Sequence, residues 1–586
     1  MVRPPEGKGE AISSPSIVKH HIAELVSAAA HEARDRGELP AVALPDVAIE
    51  RPQRPEHGDY ATSLALRLAR SARANPMTLA EALVRRLPAS EAVGEVSVAA
   101  PGFINFRLSE PWLARQVDAV LAAGDRFGDV DIGGGQRVQV EFVSANPTGP
   151  LHVGNGRGAA IGATLASALE AAGYSVEREY YFNDAGSQID ALTRSVYARY
   201  QQLMGRDAPF PEDGYPGQYV VDIAGAIKEE QGDAFLRPEG EPAPAEIGRL
   251  AVQRLMDEIR HDLEDLGLTY DVWFNEQSLY QPGGPDRPSL YEQVMPLLRE
   301  RGFIAEKEGA IWFAPSARGA PTAAPGESPA VEDKDNVLVR SNGEPTYFAS
   351  DIAYHYDKFI RRGFDRVINV WGADHQGHVS RMKAAVAALG VDPDRLDLLI
   401  YQLVTLKRGD EVVRLSKRGG EIISVRDVVD EVGRDACRFF FLARSADAPM
   451  DFDLELAKQQ SAENPVYYVQ YAHARIAGIL RHATERQLEY ADGDVSLLTH
   501  PAELALVRKM LVLPELLESI AGNLEPHHLP HYAQELATAF HDFYEKCRVV
   551  SDDVPLSKAR LKLVAACRLA LARTLALIGV SAPERM

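Results

Sequence analysis

Two strand–loop–helix–strand units constrain the fold of this chain more than any other feature. In the first unit, the strand RVQVEFV (137–143) leads through a glycine-containing loop into an Ala/Leu-rich helix that ends at Gly173, and then into a second strand, SVEREYYF (175–182). The same order recurs over residues 366–404. Two such halves, with a glycine-rich turn at the helix start, are what a Rossmann-type, doubly wound sheet requires.

The sequence outside these units predicts further domains, and thus a multidomain α/β protein. Helical periodicity over 17–36 and 78–87, with two short strands around Pro101-Gly102, predicts a small α+β unit. From about residue 456 the pattern is helical without strand alternation, which predicts a C-terminal all-α bundle. The predicted domains are an N-terminal α+β domain (1–130), a doubly wound domain with an insertion (131–405, insertion about 185–345), a connecting segment (406–455) and a helical bundle (456–586).

Composition excludes several classes of protein. At 586 residues the chain is too long for one core. No stretch approaches the roughly 18 apolar residues of a membrane span, and the opening MVRPPEGKGEAISSPS lacks the apolar core of a secretory signal. Cys437, Cys547 and Cys567 form neither a disulfide framework nor a CxxC zinc site. We therefore expect a cytoplasmic protein with no membrane partner and no metal site.

The net charge of -21 argues against a simple nucleic-acid binder, but the charge is segregated. Residues 546–573 hold seven Lys and Arg against two Asp, a local charge of +5. A single run of this kind is more often the solvated face of a helix. It becomes a candidate phosphate-binding surface only if other features point to nucleic acid.

The loop PTGPLHVGNG (147–156) is a candidate nucleotide site. It lies between a strand and a helix N-terminus, where free backbone N–H groups and the helix dipole favour anions. Gly154 and Gly156 would let a nucleotide approach the backbone, and His152 could donate to a phosphate as charge builds there. Two other interpretations stay open: GNGRGA loosely matches a GxGxxA dinucleotide fingerprint, and His152 could be an ordinary loop histidine.

A second candidate loop, RLSKRGG (414–420), follows the second unit. Lys417 could place an ammonium against the β,γ-phosphates, and Ser416 adds a hydroxyl donor. Alone, a Lys-Arg pair in a loop is usually just solvated. A His-x-Gly-Asn loop paired with a later Ser-Lys loop is much rarer.

Together the two loops resemble the HIGH and KMSKS signatures of class I aminoacyl-tRNA synthetases. Ordered matches over most of the chain identify it as a member of the arginyl-tRNA synthetase family. The matching segments include GDYATSLAL, PGFINF, EFVSANPTGPLHVGNGRG, TYFASDIAYH, WGADHQGHVSRMKAA, VGRDACRFFFLARS, ENPVYYVQYAHARI and the terminal SAPERM. The chain departs from the family pattern at the first signature's last His, which is Asn155, and in the second signature at Arg414, Leu415 and Arg418.

The resemblance implies an arginine–tRNA ligase that activates L-arginine with ATP and transfers it to the terminal 2′-hydroxyl of tRNA(Arg). It implies ATP and accompanying Mg²⁺ with no dedicated protein cage, a monomer, and tRNA contacts through the N-terminal domain and the helical anticodon-binding domain. The implied catalytic residues are His152, Asn155, Ser416 and Lys417. The implied ATP-binding residues are His152, Gly154, Asn155, Gly156, Gly372, Asp374, Arg414, Ser416 and Lys417.

The family match also assigns an arginine pocket. A guanidinium is planar and always charged, so a carboxylate recognises it best. Tyr347 and Asp351, four residues apart, would share a helix face, with Asp351 on the guanidinium. The implied arginine-binding residues are Glu141, Ser144, Asn146, Tyr347, Asp351 and His375, and the candidate tRNA-binding residues are Lys558, Arg560, Lys562, Arg568 and Met586.

Four other functions fit the sequence less well. A synthetase for another amino acid lacks support because no editing-sized insertion is evident. A class I-like nucleotidylyltransferase would not need a helical bundle after the second loop. A non-catalytic tRNA-binding paralogue should have lost His152 or Lys417, and both are present. A NAD-dependent enzyme leaves RLSKRGG unexplained.

Overall fold

The computed structural model describes residues 17–39, 42–238, 240–284, 287–314, 336–413 and 423–586. Its N-terminal part is a three-stranded antiparallel sheet, order β1-β3-β2, flanked by helices. Polar caps begin two of these helices, because the side chains of Asn75 and Ser109 accept first-turn N–H groups. The elements are α1 (Val18–Asp35), β1 (Tyr60–Thr62), α2 (Leu64–Ala72), α3 (Pro76–Arg85), β2 (Val93–Ala99), β3 (Phe103–Leu108) and α4 (Glu110–Ala123).

A five-stranded parallel sheet forms the centre of the molecule. Its order is β11-β10-β4-β5-β6, and every neighbouring pair is parallel. The elements of this region are β4 (Arg137–Phe142), α5 (Val153–Ala171), β5 (Ser175–Phe182), α6 (Ser187–Leu203), α7 (Gln218–Gln231), α8 (Ala245–Asp265), β6 (Val272–Asn275), α9 (Leu290–Glu300), β7 (Ile304–Lys307), β8 (Ala310–Phe313), β9 (Val337–Val339), α10 (Tyr347–Tyr356), β10 (Arg366–Gly372), α11 (Val379–Ala388) and β11 (Leu396–Tyr401).

This sheet confirms the predicted doubly wound fold. β4 stands at the centre, with β5 and β6 on one side and β10 and β11 on the other, so the strand order reverses between β4 and β10. Ligands of such sheets bind in the crevice at the carboxyl ends of the strands beside that reversal. One hydrophobic cluster continues from the α5 side of the sheet into both flanking domains, and a second lies around α9, α10 and α11.

Two parts of the central region differ from the sequence-based interpretation. β6 lies inside the segment predicted as an insertion, yet it pairs with β5 and is a strand of the main sheet. The last strand of the second unit, which was predicted to run to residue 404, breaks after Tyr401, and Val404–Arg408 joins another sheet. The buried guanidinium of Arg157 stabilises this break by donating to the Gln402 carbonyl at 2.7 Å and to the Ser445 and Ala448 carbonyls at 2.8 and 2.9 Å.

The segment after the main sheet carries a small sheet, order β13-β12-β14. Its elements are β12 (Val404–Arg408), β13 (Glu411–Val412), α12 (Val425–Val432), α13 (Arg434–Phe441), β14 (Met450–Asp453) and α14 (Leu454–Lys458). The predicted all-α bundle follows, with α15 (Pro465–Glu485), α16 (Pro501–Met510), α17 (Leu513–Asn523), α18 (His528–Lys546) and α19 (Val554–Ile578). Among the helices in the described ranges, none has the length and apolar character needed to cross a bilayer.

Candidate functional site

The site lies where the carboxyl ends of β4 and β10 meet. Directly after β4 the chain turns through two non-glycine residues in the left-handed region, Val143 (φ 70°) and Ser144 (φ 45°). Such a conformation is costly for a β-branched residue and persists only where the surroundings enforce it. Here the Ser144 hydroxyl donates to Glu141 Oε1 at 3.0 Å and accepts from the Tyr181 N–H at 3.2 Å. The turn therefore holds Ser144 against Glu141, two of the predicted arginine-binding residues.

Three carboxylates, Glu141, Asp351 and Glu276, gather beside this turn. Burial, Glu141 and Glu276 together raise the pKa of Asp351 to about 7, although Arg381 and Lys358 pull it down. Burial also raises the pKa of Glu276, against the opposing effect of the Ser350 and Tyr181 hydroxyls. Mutual repulsion of this kind is relieved by a cation bound among the acids.

Glu276 was not predicted from the sequence. It follows β6 directly and is buried; its Oε1 accepts from the Ser350 hydroxyl at 2.7 Å, while Oε2 makes no well-aligned hydrogen bond among the described residues. A buried carboxylate oxygen without a well-placed donor is costly, so an incoming N–H group would satisfy it. No local sequence signal marks Glu276, because its role depends on β6 joining the main sheet.

A cavity of about 420 Å³ opens onto Glu276, one of these acids. Its walls include Tyr347, Glu276 and Ser350. Tyr347 and Asp351 do lie on one helix, α10, and Tyr347 is 52% exposed at its start. Asn146 connects the loop after β4 to the segment after β5. Its Oδ1 accepts from the Asn183 N–H at 3.1 Å, and its Nδ2 donates to Gln188 Oε1 at 3.0 Å.

His152 begins α5 as its N-cap. Its Nδ1 accepts from the Gly154 N–H at 3.0 Å, and Asn155 Oδ1 accepts from the His152 N–H at 3.0 Å, which is a reciprocal capping box. Partial burial lowers the pKa of His152. Because Nδ1 is an acceptor, the proton of the neutral ring is on Nε2, where it can be donated to a ligand.

The backbone N–H groups at the start of α5 are not free, contrary to the sequence-based prediction. Val153 N–H donates to Ile423 O at 3.1 Å, Gly154 N–H to the His152 ring, and Asn155 N–H to His152 O at 2.8 Å. The helix dipole remains, so the donors that this helix start offers to an anion are side chains, His152 Nε2 and Asn155 Nδ2.

The predicted ATP-binding glycines also have packing roles. A Cβ on Gly156 would lie 2.9 Å from the Phe441 ring and 3.3 Å from Val425, so this buried glycine allows α5 to pack on α12 and α13. A Cβ on Gly154 would lie 3.3 Å from His152 Nδ1. A Cβ on Gly372 would lie 2.6 Å from Asp374 Oδ1. Gly154 and Gly372 therefore make room for neighbouring site residues.

Asp374 and His375 lie on a short 3-10 helix, Ala373–His378, directly after β10. Both are exposed, and His375 Nε2 is 3.4 Å from Asp374 Oδ2. The His375 ring packs against Trp371 and His378. Among the described residues, no recorded hydrogen bond, ion pair or ring contact joins His375 to the acid cluster.

Three predicted residues of the second loop, Arg414, Ser416 and Lys417, lie outside the described residues. The flanks of this loop are described. On one side, β13 pairs with β12. On the other, residues 423–425 pair with the first loop through Val153 N–H to Ile423 O and Val425 N–H to Leu151 O at 2.8 Å. The chain that leaves the second loop is therefore bonded to the residues around His152.

The basic stretch near the C-terminus does not form a free cationic surface. Lys558 pairs with Asp492 at 2.8 Å, Arg560 with the buried Glu503 at 2.7 Å, and Lys562 with Asp118. Arg568 lies 3.8 Å from Glu584, and Met586 is exposed. Acids from other elements thus already pair with Lys558, Arg560 and Lys562, which counts against their predicted role as phosphate-binding residues. Local charge counting misses acids that are distant in sequence.

Known proteins are similar to this chain over most of its length. Three family models match: arginyl tRNA synthetase N terminal domain (residues 17–108), tRNA synthetases class I (R), catalytic domain (116–441), and DALR anticodon binding domain (469–586). The chain is 55% identical to an arginine–tRNA ligase of Dehalococcoides mccartyi (97% of this chain, 99% of the relative) and 49% identical to one of Heliobacterium modesticaldum, with the same coverage. The structure of Thermus thermophilus arginyl-tRNA synthetase shares the fold, with a TM-score of 0.74 at 24% identity over 97% of this chain and all of that one.

Proposed function

The chain belongs to the arginyl-tRNA synthetase family, and from this premise we propose that the acid cluster binds the substrate guanidinium while the two loops bind ATP. The protein is an arginine–tRNA ligase: it activates L-arginine with ATP and transfers the arginyl group to tRNA. The proposal concerns which residues perform these steps.

The observation that carries the proposal is the surplus of carboxylates at the carboxyl edge of the sheet. Asp351 and Glu276 have raised pKa values, and Glu276 Oε2 lacks a well-aligned donor among the described residues. A guanidinium presents five N–H donors in a plane and keeps its charge at all relevant pH values. It can pair with Asp351, satisfy Glu276 and pack against Tyr347 at once. A lysine ammonium is a compact charge with only three donors, and would leave part of this site unsatisfied.

For the chemistry we propose in-line attack of the arginine carboxylate on the α-phosphate of ATP, with release of pyrophosphate. No side-chain nucleophile is required, so catalysis consists of positioning and charge stabilisation. His152 Nε2–H and the Asn155 amide would donate to phosphate oxygens at the α5 N-terminus, and Ser416 and Lys417 would meet the β,γ-phosphates. The terminal 2′-hydroxyl of the tRNA then attacks the carbonyl of the arginyl-adenylate and releases AMP, as class I membership implies.

The tRNA surface of the bundle is better sought on α15 and α18 than on α19. The guanidinium of Arg475 lies 4.7 Å from the Tyr471 ring centroid and 5.3 Å from that of Tyr544, and both tyrosines are exposed. His541 continues this surface. Exposed aromatic rings interleaved with arginine are typical of sites on which single-stranded bases stack. We assign this surface, with the DALR domain, to the anticodon loop.

We also propose that the enzyme acts in the cytoplasm as a monomer and takes its ATP with Mg²⁺. In the described ranges, no group of three or more His, Cys, Asp or Glu side chains is placed to hold a metal. The phosphate oxygens of ATP would supply most of the Mg²⁺ ligands, as they commonly do.

The test is aminoacylation of bulk tRNA with labelled arginine, with lysine as the competing substrate, using wild type and Lys417→Ala. Loss of one contact to charge developing in the transition state costs about 3–4 kcal/mol, so Lys417→Ala should lower the rate roughly 10²–10³-fold. Arg418→Ala, which removes a positive charge from the same loop, is the matched control and should keep most of the rate. Near-normal charging by Lys417→Ala would refute its assigned role, and charging with lysine by the wild type would refute the pocket.

A further inference from the structure

A buried lysine lies behind the arginine pocket. α10 continues into a π-helical turn, Asp357–Arg361, a rare conformation that is frequent at functional sites. This turn carries Lys358, whose side chain is fully buried. Its Nζ lies 2.6 Å from Glu141 Oε2, 3.0 Å from Asn369 Oδ1 and 4.0 Å from the Tyr354 ring centroid. Burial of an ammonium is costly unless it is paired and hydrogen-bonded, and here it is both.

A chain of hydrogen bonds connects Lys358 to the helical turn that carries Asp351. Lys358 donates to Asn369 Oδ1, and Asn369 Nδ2 donates to His355 Nε2 at 3.0 Å. His355 Nδ1–H then donates to the carbonyl oxygen of Asp351 at 2.7 Å. Burial and the nearby Lys358 lower the pKa of His355 to about 3, so the ring is neutral and has the tautomer that this chain needs. Lys358 thus touches Glu141 directly and Asp351 through two intermediates.

We propose that Lys358 is a positioning residue that determines arginine affinity: it neutralises Glu141 and, through Asn369 and His355, orients the turn that presents Asp351 to the guanidinium. The inference rests on the proposed arginine pocket and deepens it. Without Lys358, Glu141 would stand unpaired beside Asp351 and Glu276, and three carboxylates would compete for the charge of one substrate.

The charged groups facing Asp351 explain why the loss of Lys358 would affect arginine binding at neutral pH. Glu141 comes from β4 and Glu276 follows β6, and both raise the pKa of Asp351, while Arg381 from α11 and Lys358 lower it. Tyr181 from β5 stays protonated, because burial, Glu276 and Asp351 raise its pKa. Loss of Lys358 removes one of the two cations that lower the pKa of Asp351. The acid would then be protonated at neutral pH and would lose its charge-assisted bond to arginine.

The test is Lys358→Met, which keeps the length of the side chain and removes its charge. We would measure kcat and the KM values for arginine and for ATP in tRNA-supported ATP–pyrophosphate exchange between pH 6 and pH 9. The expected result is an arginine KM raised about tenfold or more at neutral pH, an ATP KM close to wild type, and a pH midpoint of kcat/KM for arginine shifted above that of the wild type. The matched control is Lys383→Met, which removes a lysine bonded to the Pro393 carbonyl and should leave the midpoint unchanged.

A second variant covers the case in which Lys358→Met does not fold. Lys358→Met/Glu141→Gln removes both charges of the buried pair, which is usually tolerated better than removing one. Its pH midpoint should return toward that of the wild type, because the acid that Lys358 compensates is also gone. An unchanged arginine KM and midpoint in folded Lys358→Met would overturn the inference, as would equal losses for arginine and ATP. If the wild type itself fails to use arginine, the proposed function fails, and that outcome is distinct from both.

Discussion

At the residue scale, Asp351 is the carboxyl group of the proposed pocket whose charge should respond to bound arginine. Burial and two neighbouring acids raise its pKa to about 7. A bound guanidinium would stabilise the ionised form, so arginine binding should release a proton wherever Asp351 is still protonated. If Asp351 binds the guanidinium as proposed, affinity for arginine should therefore rise with pH up to about 7 and then level off.

This behaviour gives a prediction for Asp351→Asn. Replacing the carboxylate by an amide should cost about 2–5 kcal/mol of arginine binding, or roughly 30-fold or more in KM. The wild-type KM should rise as the pH falls below about 7, whereas the KM of the variant should vary far less with pH. Kinetics between pH 6 and pH 8.5 measure both effects, with circular dichroism as the control for folding. An unchanged arginine KM in the variant would place the guanidinium elsewhere.

At the element scale, α5 is important because its N-terminus carries His152 and its side packs on the segment after the second loop. Gly156 allows this packing, since a Cβ there would lie 2.9 Å from the Phe441 ring. A Cβ at residue 156 would also contact Val425. Val425 belongs to the segment 423–425, which pairs with the first loop.

We predict opposite effects for two helical glycines. Gly156→Ala overpacks the α5–α13 contact and should destabilise the protein by about 1–3 kcal/mol, with a further loss of ATP-dependent activity because His152 moves with the helix. Gly225→Ala on α7 has nothing within 4 Å of its Cβ and should stabilise by about 0.5–1 kcal/mol. Thermal melts of the two variants, with charging rates, make the comparison. Equal stability of the two would show that Gly156 is not limited by packing.

At the scale of the whole molecule, ion pairs connect the domains. Lys562 of α19 pairs with Asp118 of α4, and Arg573 of α19 lies 2.5 Å from Asp129. On the N-terminal domain, Arg51 makes two bonds to Glu515 of α17, at 2.9 and 3.0 Å. Half-buried pairs of this kind are screened less by salt than exposed ones, so they stabilise the relative placement of the bundle and the sheet.

The predicted consequence separates tRNA contacts from domain contacts. Lys562→Gln should lower the thermal stability, yet leave the slope of log Kd for tRNA against log salt unchanged, because Lys562 is already paired with protein. Tyr471→Ala should leave the melting temperature unchanged and weaken tRNA binding by about 1–3 kcal/mol, the usual contribution of one stacked base. Filter binding across a salt series and thermal melts measure both. A reduced salt slope in Lys562→Gln would restore it as a phosphate contact.

Local patterns were sufficient for most of the architecture of this chain, although not for the place of β6 in the sheet. The alternation of strands and the periodicity of helices depend on residues a few positions apart, so the two halves of the sheet and the helical bundle were predictable. Matches to family segments indicated Glu141, Asp351 and His152, and tied the chain to arginine chemistry.

The features that only the tertiary structure decided depend on residues that are far apart in the chain. Glu276 joins the acid cluster because β6 pairs with β5. Lys358 Nζ lies 2.6 Å from Oε2 of Glu141, a residue 217 positions away in the chain. The cations of α19 looked free in the sequence, but acids from other elements pair with them. Whether a charge is paired, and how deeply a side chain is buried, depend on its neighbours in space. No local pattern contains the distant acids and strands that the fold brings next to that side chain.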